Sequence, residues 1–551
     1  MMRRIPLITF ALLCGCSKPL VPPVRFANAP VVAAVDDRRD VPNKPSERTF
    51  IHSLYHYDGI VHRRLERAFE LPRMRRALGV NALDEVPDST WFTNRIGIRD
   101  LTLDQLRTGP ARVGSPETHM PWTIRSSKVG GTELGLIISD ARGKKFLLKF
   151  DREGYAEQET ATHVIVGKLL WASGFDVTED HVVYFHGKDL VLPPGAMIKD
   201  EFGNKRPLDR VELDRMLAQV ETDQDGRIRA MASLWLDGKP LGGHPAEGVR
   251  ADDPNDRIPH QLRRDLRGAY AIFSWLDHVD VQEGNFLDMW VKDGDRHYVK
   301  HYMIDFGKSL GVMNTTGKDR RHGHEYVVDI AAMLRSLFTI GIEQRSWEGR
   351  TRPALRGVGL FDVADFDPGE WKPDSPAYVP FLVADRIDKF WGAKILIRFT
   401  REQIHAVVES ARLTDPRATE YVTDTLVARQ RAVARYWFER VNPLDHFTVT
   451  NKPTGVELCF DDLMLVYRLG GEATRYDVTT HDRDTRVIGA SAMGPDAAGH
   501  ACIPVRLASS PDGYTIIRIE TSRGDFDQET FVYVAREPST NTPRVIGIWR
   551  P

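Results

Sequence analysis

Four side chains set far apart along the chain, Lys149, Asp280, Asn285 and Asp305, are of the types that phosphoryl transfer requires. That chemistry needs a carboxylate near the attacking hydroxyl and an amide oxygen a few residues on, near metal bound to the phosphates. Asp280 and Asn285 lie five apart in Asp277-His278-Val279-Asp280-Val281-Gln282-Glu283-Gly284-Asn285-Phe286-Leu287, a loop expected between an apolar helix and an apolar strand. Asp305 follows the apolar pair Met303-Ile304 and precedes Phe306-Gly307-Lys308-Ser309-Leu310-Gly311, where Gly307 lets the backbone turn away. Asp305, Asn285 and phosphate together make a hard oxygen set that suits Mg²⁺ or Mn²⁺.

Lys149 sits in the apolar strand Phe146–Phe150. A lysine among buried residues needs an anion, although one on the solvent face of an edge strand does not. Glu159, with Glu157 as substitute, opens the next predicted helix and is placed to hold the Lys149 ammonium; simple helix N-terminal charge explains it equally well. Upstream, Gly130-Gly131-Thr132-Glu133-Leu134-Gly135 turns a hairpin. Its backbone N–H groups can face phosphate oxygens, though two glycines in a turn are commonly only a turn.

These residues need a scaffold, and hydrophobic periodicity outlines one. Helix-formers dominate from Tyr55 to Leu78, and Asp88-Ser89-Thr90-Trp91-Phe92 reads as a docked loop. Leu136–Ile138 and Phe146–Phe150 form a hairpin about Asp140-Ala141-Arg142-Gly143. A helix follows over Glu157–Ser173, ended by Gly174, the residue type preferred just past a helix end. Val182–Phe185 and Ile228–Leu236 read as strands; helices are predicted over Gln261–Leu276, Tyr326–Ile340, Val383–Ala393, Thr400–Ala411 and Ala418–Val441. After Asn442-Pro443 come short alternating runs, among them Val456–Phe460, Leu463–Arg468, Arg475–Thr480, Tyr514–Thr521 and Thr530–Ala535, the pattern of a small antiparallel sandwich.

Composition narrows the classes. With 42% hydrophobic and 28% charged residues over 551 positions, the chain has a real core and is not extensively disordered. Lysine plus arginine number 75 against 77 acidic residues, so no basic excess points to nucleic acid. Past the first residues no apolar run reaches the length of a membrane-spanning helix. The start, Met1-Met2-Arg3-Arg4 followed by Ile5–Leu13, reads as a secretory signal. Leu13-Cys14-Gly15-Cys16 resembles the bacterial lipobox, which implies lipidation of Cys16 and, with Ser17 next, sorting to the outer membrane of a bacterial envelope. Residues 17–49 are expected as a proline-rich tether, and the dense Arg250–Arg267 stretch as a capped, salt-bridged helix start or an acceptor-recognition loop. Cys459 and Cys502 remain after signal removal, and in an oxidising compartment a bridge between them is plausible.

Together the motifs resemble the protein-kinase-like fold: H-x-D-x-x-x-x-N at His278–Asn285 and D-F-G at Asp305–Gly307. Ile304-Asp305-Phe306-Gly307-Lys308-Ser309-Leu310-Gly311 is similar to the metal-binding segment of phosphatidylinositol 3- and 4-kinases, and the Asp280/Asn285 loop to those and to HipA-like and secretory-pathway kinases. The resemblance implies an α+β, bilobal protein-kinase-like fold with a C-terminal β-sandwich. A signal (1–16), tether (17–49) and helical extension (50–120) would precede an N-lobe (121–245), a helical C-lobe (246–441) and the sandwich (442–551). It further implies ATP with Mg²⁺ or Mn²⁺, Gly130 and Gly131 over the phosphates, Lys149 held by Glu159, and a hinge at Ser233-Leu234-Trp235-Leu236 in which Leu234 and Trp235 meet adenine. Asp280 would serve the acceptor hydroxyl, Asn285 and Asp305 the metal, and His278 only the scaffold. Gln282 stands where protein kinases often have a basic residue, and Lys308 or Lys300 is the candidate replacement. The function implied is transfer of the ATP γ-phosphate to an unidentified hydroxyl by a lipid-anchored protein. A pseudokinase scaffold at the envelope and an AMP-transferring enzyme are the alternatives, and the sandwich would suit a protein or glycan partner.

Overall fold

The computed structural model describes residues 24–49, 52–63, 75–127, 135–199, 204–313, 320–376, 378–471, 473–508 and 513–551. Cys16 and the glycine pair Gly130-Gly131 lie outside the described residues. The chain divides into two compact units, one of Val32–Asn81 with Glu85–Val441, the other of Asn442–Pro551 with Ala82–Asp84 and the residues up to Val31.

The larger unit begins with a six-stranded sheet. Its strands are β1 (Trp122–Ser127), β2 (Gly135–Ser139), β3 (Lys145–Lys149), β4 (Asp180–Phe185), β5 (Leu190–Val191) and β6 (Ile228–Leu234), in the order β4-β6-β3-β2-β1-β5. Only the β1–β5 pair is parallel. Alternation along β3 sends Phe146 and Leu148 into a core shared with Trp122, Leu136 and Phe185. Lys149 therefore lies on the other face of the sheet, between Gly135 of β2 and Met231 of β6.

Helix α1 (Gln158–Ser173) follows, with fifteen of its sixteen residues buried, so it is an internal strut rather than a surface helix. It starts and stops where the sequence predicts, with Gly174 at φ 127° closing it.

The helical half is built on α2 (Arg264–Leu276), buried along its whole length, with α3 (Arg386–Leu396), α4 (Arg401–Glu409) and α5 (Pro416–Phe438). Asp277 at the end of α2 takes a left-handed conformation (φ 48°) that reverses the chain into the loop bearing Asp280. That loop leads into a hairpin of β7 (Phe286–Asp293) and β8 (Arg296–Met303), whose register opposes Phe286 to Met303.

Several expectations change. The predicted helix over Tyr326–Ile340 shortens to Ile330–Phe338, and none of its residues is buried; Leu337 and Phe338 are 71% and 81% exposed. Periodicity reports an apolar stripe, not whether anything covers it. Residues 24–49 are not a solvated tether. Phe26 packs edge-on against the Tyr533 ring, Asp37 accepts hydrogen bonds from the Thr90 amide and hydroxyl, Val41 is buried, and Arg48 pairs with Glu283. Only 17–23 are left for that role, and they lie outside the described residues.

The smaller unit is an antiparallel β-sandwich. Strands β9 (Leu444–Lys452), β10 (Gly455–Asp462), β11 (Arg475–His481), β12 (Val487–Met493), β13 (His500–Val505), β14 (Thr515–Arg523), β15 (Phe526–Arg536) and β16 (Pro543–Trp549) form sheets ordered β9-β10-β13 and β12-β11-β14-β15-β16. Leu458, Phe460, Val478, Ile517 and Val532 meet in the core between them. The run Leu463–Arg468, expected as a strand, instead starts with a short helix, Leu463–Val466, because the Asp462 carboxylate caps it by accepting from the Met464 amide. Cys459 and Cys502 oppose each other on β10 and β13 and are disulfide-bonded.

Candidate active site

The hairpin β7–β8 explains why residues twenty apart in sequence meet. Asn285 stands just before the start of one strand and Asp305 just beyond the end of the other, and the Ile304 amide donates to the Asn285 carbonyl (3.0 Å). Three further bonds fasten the two loops. The Val279 amide donates to the Lys308 carbonyl (3.3 Å), the Leu310 amide to the Leu276 carbonyl (2.9 Å), and His278 Nδ1 lies 2.8 Å from Ser309 Oγ. His278 is 3% exposed, and burial pushes its pKa down to about 4, so it is neutral at pH 7. Its ring braces one loop against the other.

Asp280 faces a cation. Lys308 Nζ lies 3.0 Å from Asp280 Oδ2, and although burial opposes the charge, the Asp280 carboxylate holds the Lys308 pKa above its ordinary value. Lys300, the other candidate, pairs with Asp176 instead (3.1 Å). The Asn285 side chain donates through Nδ2 to the Asp280 carbonyl (2.8 Å), which leaves its amide oxygen as the ligand atom.

Lys149 reaches the same place from the sheet. Its Nζ is 2.5 Å from Asp305 Oδ1 and 3.2 Å from His163 Nε2. Burial raises the Asp305 pKa, but the Lys149 ammonium and His163 outweigh it and hold the carboxyl well below the usual range. Asp305 itself adopts φ 65°, a left-handed conformation that costs an L-residue of order 1 kcal/mol; the ion pair helps hold it there.

His163 is the residue sequence reasoning missed. It sits four after Glu159 on α1, with Nε2 3.7 Å from Glu159 Oε1 and 3.5 Å from Asp305 Oδ1, and Nδ1 3.9 Å from Asp180 Oδ2. The i,i+4 spacing from Glu159 was the only sequence signal. Glu159 is 3% exposed and lies against Gly307, where a Cβ would come within 2.8 Å of its Oε1. Phe306 is fully buried beside the rings of His163 and His278, wedging α1 against the loop. Glu157, the substitute for Glu159, is committed elsewhere, to Thr414 and Arg356.

Leu234 and Trp235 lie at and just past the end of β6. Leu234 pairs with Phe146 while Lys149 pairs with Met231, so the expected hinge is about 10 Å along the strand from the lysine. The Leu234 and Trp235 amides already donate, to the Glu179 and Lys145 carbonyls, and Trp235 is half exposed. The structure thus brings together Lys149, Glu159, Asp280, Asn285 and Asp305, and places Leu234 and Trp235 on the same sheet at a distance. Asp305 and the free amide oxygen of Asn285 are hard oxygen donors, which fits a divalent cation of the Mg²⁺ or Mn²⁺ kind.

No family model matches the chain, and no curated protein matches it in sequence. The solved structures that align with it include two kinases. A Helicobacter pylori proinflammatory kinase, CtkA, does so at 10% identity and a TM-score of 0.29 over 56% of this chain and 93% of that one. The Golgi casein kinase with Mn/ADP bound does so at 11% identity and a TM-score of 0.27 over 60% of this chain and 74% of that one. The fold is α+β, with a sheet-rich and a helical half meeting at the loops of Asp280 and Asp305 and a β-sandwich following in sequence.

Proposed function

We infer that the chain is a kinase-like phosphotransferase that moves the γ-phosphate of ATP to a hydroxyl acceptor. The observation that carries this reading is that Lys149 from the sheet meets Asp280, Asn285 and Asp305 on two loops fastened to each other by backbone hydrogen bonds. Asp305 and the Asn285 amide oxygen would hold Mg²⁺ or Mn²⁺, which when bound neutralises charge on the phosphates. Lys149, exchanging Asp305 for phosphate oxygens, would position the nucleotide. Asp280 orients the acceptor hydroxyl and takes its proton at Oδ1 or Oδ2, and Lys308 beside it stabilises negative charge as transfer proceeds. Acylation at Cys16 would anchor the protein to the outer membrane of a bacterial envelope.

The test is purified protein with labelled ATP and Mn²⁺ or Mg²⁺. Time-dependent labelling that disappears in Asp305→Ala is the expected result; labelling that persists in that variant overturns the assignment. One observation favours a second reading, a nucleotide-free scaffold: both functional carboxylates are already neutralised by lysines, Asp305 by Lys149 and Asp280 by Lys308. Thermal stabilisation by ATP plus metal separates the two, since only a binding site shifts the unfolding midpoint.

A further inference from the structure

Behind the loop of Asp280 and Asn285 lies a second cluster of chemically competent side chains that the phosphotransfer reading does not use. His244, Asp288 and His301 are 1%, 0% and 5% exposed, and one ligand atom from each falls within 4.8 Å of the others. His301 Nδ1 is 2.7 Å and His244 Nδ1 3.4 Å from the same oxygen, Asp288 Oδ1. The other Asp288 oxygen accepts from Arg250 (3.0 Å), which leaves Oδ1 turned toward the two imidazoles.

The backbone around the cluster is tightly set. The Leu241 amide donates to the Asp288 carbonyl, the Asp288 amide to the Gly242 carbonyl, and the His301 amide to the Thr90 carbonyl. Trp91 stacks on the His301 ring at 3.5 Å between centroids and meets His244 edge-on at 4.8 Å. A third neighbour, His260, is satisfied by Asp256 and the Pro245 carbonyl, and so stands outside the set.

His244 decides between a plain hydrogen-bonded network and a ligand site. Among the described residues neither of its ring nitrogens has a well-aligned hydrogen-bond partner, Nδ1 meeting only Asp288 Oδ1 at 3.4 Å, although the ring is buried. A neutral imidazole must carry one N–H, and leaving such a group unpaired in the interior costs roughly 1–3 kcal/mol. An ion accepting the Nδ1 lone pair satisfies that acceptor and fixes the N–H on Nε2.

We propose that His244, Asp288 and His301 bind a divalent transition-metal ion, zinc by ligand type, behind the loop of Asp280 and Asn285. Two imidazoles and a carboxylate suit zinc, whose bonds of about 2.0–2.1 Å set tetrahedral ligand–ligand edges near 3.3 Å. The His244–Asp288 edge of 3.4 Å already matches; the His301–Asp288 edge has to open by roughly half an ångström. The Arg250 guanidinium, holding the distal carboxylate oxygen, orients the ligand from outside.

The placement gives the centre a purpose. Asp288 is three residues after Asn285, and His301 four before Asp305. An ion here ties the two strands that deliver the nucleotide-site ligands to the 241–246 segment, which also packs on the loop at Glu283 through Gly243.

The test uses the purified full-length chain, stripped with chelator and retitrated with Zn²⁺ and, for its d–d bands, Co²⁺. One equivalent per chain, a raised unfolding midpoint and tetrahedral Co²⁺ absorption are expected. His244→Gln should lose at least tenfold in affinity, and Asp305→Ala should keep the full equivalent, which separates this centre from the nucleotide site. If His244→Gln does not fold, X-ray absorption on the zinc-loaded wild type reads the ligands directly, with two imidazoles at about 2.0 Å expected. Stripped, folded wild type that takes up no zinc, or zinc bound without histidine, overturns the proposal.

Discussion

Lys308 from the loop of Asp305 places its ammonium 3.0 Å from Asp280 Oδ2, in the neighbouring loop. Gln282, two residues after Asp280, therefore need not supply a cation, because the facing loop does. The bond between the Val279 amide and the Lys308 carbonyl holds the two backbones at the spacing that makes this possible.

Removing that ammonium while keeping the stem tests its part in transfer. Lys308→Met is expected to lower labelled-phosphate transfer by about a hundredfold, the scale of losing one charge-stabilising donor. Its unfolding midpoint should stay close to wild type, since the side chain is 32% exposed. Unchanged turnover would show that Lys308 only pairs with Asp280 at rest.

Gly307 is needed for close approach. An ideal Cβ there would stand 2.8 Å from Glu159 Oε1, 3.0 Å from its Cγ and 3.1 Å from its Cδ, and Glu159 is buried with little freedom to move. Gly307→Ala is expected to destabilise the chain by about 1–3 kcal/mol in denaturant titrations. Gly311→Ala should be worse, because its Cβ would meet the Leu360 backbone at 2.3 Å in a left-handed conformation of φ 65°. Equal stabilities for the two variants would contradict this ranking.

His163 makes stability depend on pH. Burial and Lys149 lower its pKa, but the carboxylates of Asp305 and Glu159 outweigh them and the net shift is upward from 6.5. A raised folded-state value means that the protonated ring stabilises the fold fully below 6.5 and that this contribution is lost as pH rises through the folded value. Unfolding midpoints of wild type should fall from pH 6 to pH 9 more steeply than those of His163→Gln. Parallel profiles would remove His163 from the ion-pair network.

The Cys459–Cys502 bond closes a 43-residue separation in the sandwich, for which the chain-entropy relation gives about 4 kcal/mol. Reduction should lower the stability of that unit by this order, measured by denaturant titration with and without reductant. Cys459→Ser should reproduce the loss under oxidising conditions.

Lys149, Asp280, Asn285 and Asp305 were legible because each lies in a short apolar frame whose spacing is dictated by the chemistry. His163 was not, since one histidine among Val164, Ile165 and Val166 looks like helix filler until sheet, helix and loop converge on it. Likewise nothing local marks Lys308 over Lys300; the choice depends on loop geometry, which sends Lys300 to Asp176. The apolar run at Leu463 is ambiguous between helix and strand, and the Asp462 cap settles it. His244, Asp288 and His301 are spread over three segments with no motif spacing, so only the fold assembles them.

The β7–β8 hairpin also divides the chain into stretches that tolerate changes in length and stretches that do not. Its tip, Gly294-Asp295, is a two-residue, solvent-facing reversal, so extra residues there lengthen only the far end of the tongs. Deleting one residue inside either strand slips the ladder and turns every side chain after it to the opposite face. The jaw that brings Asn285 level with Asp305 would then close out of line. Natural insertions or engineered reporters therefore belong at the tip.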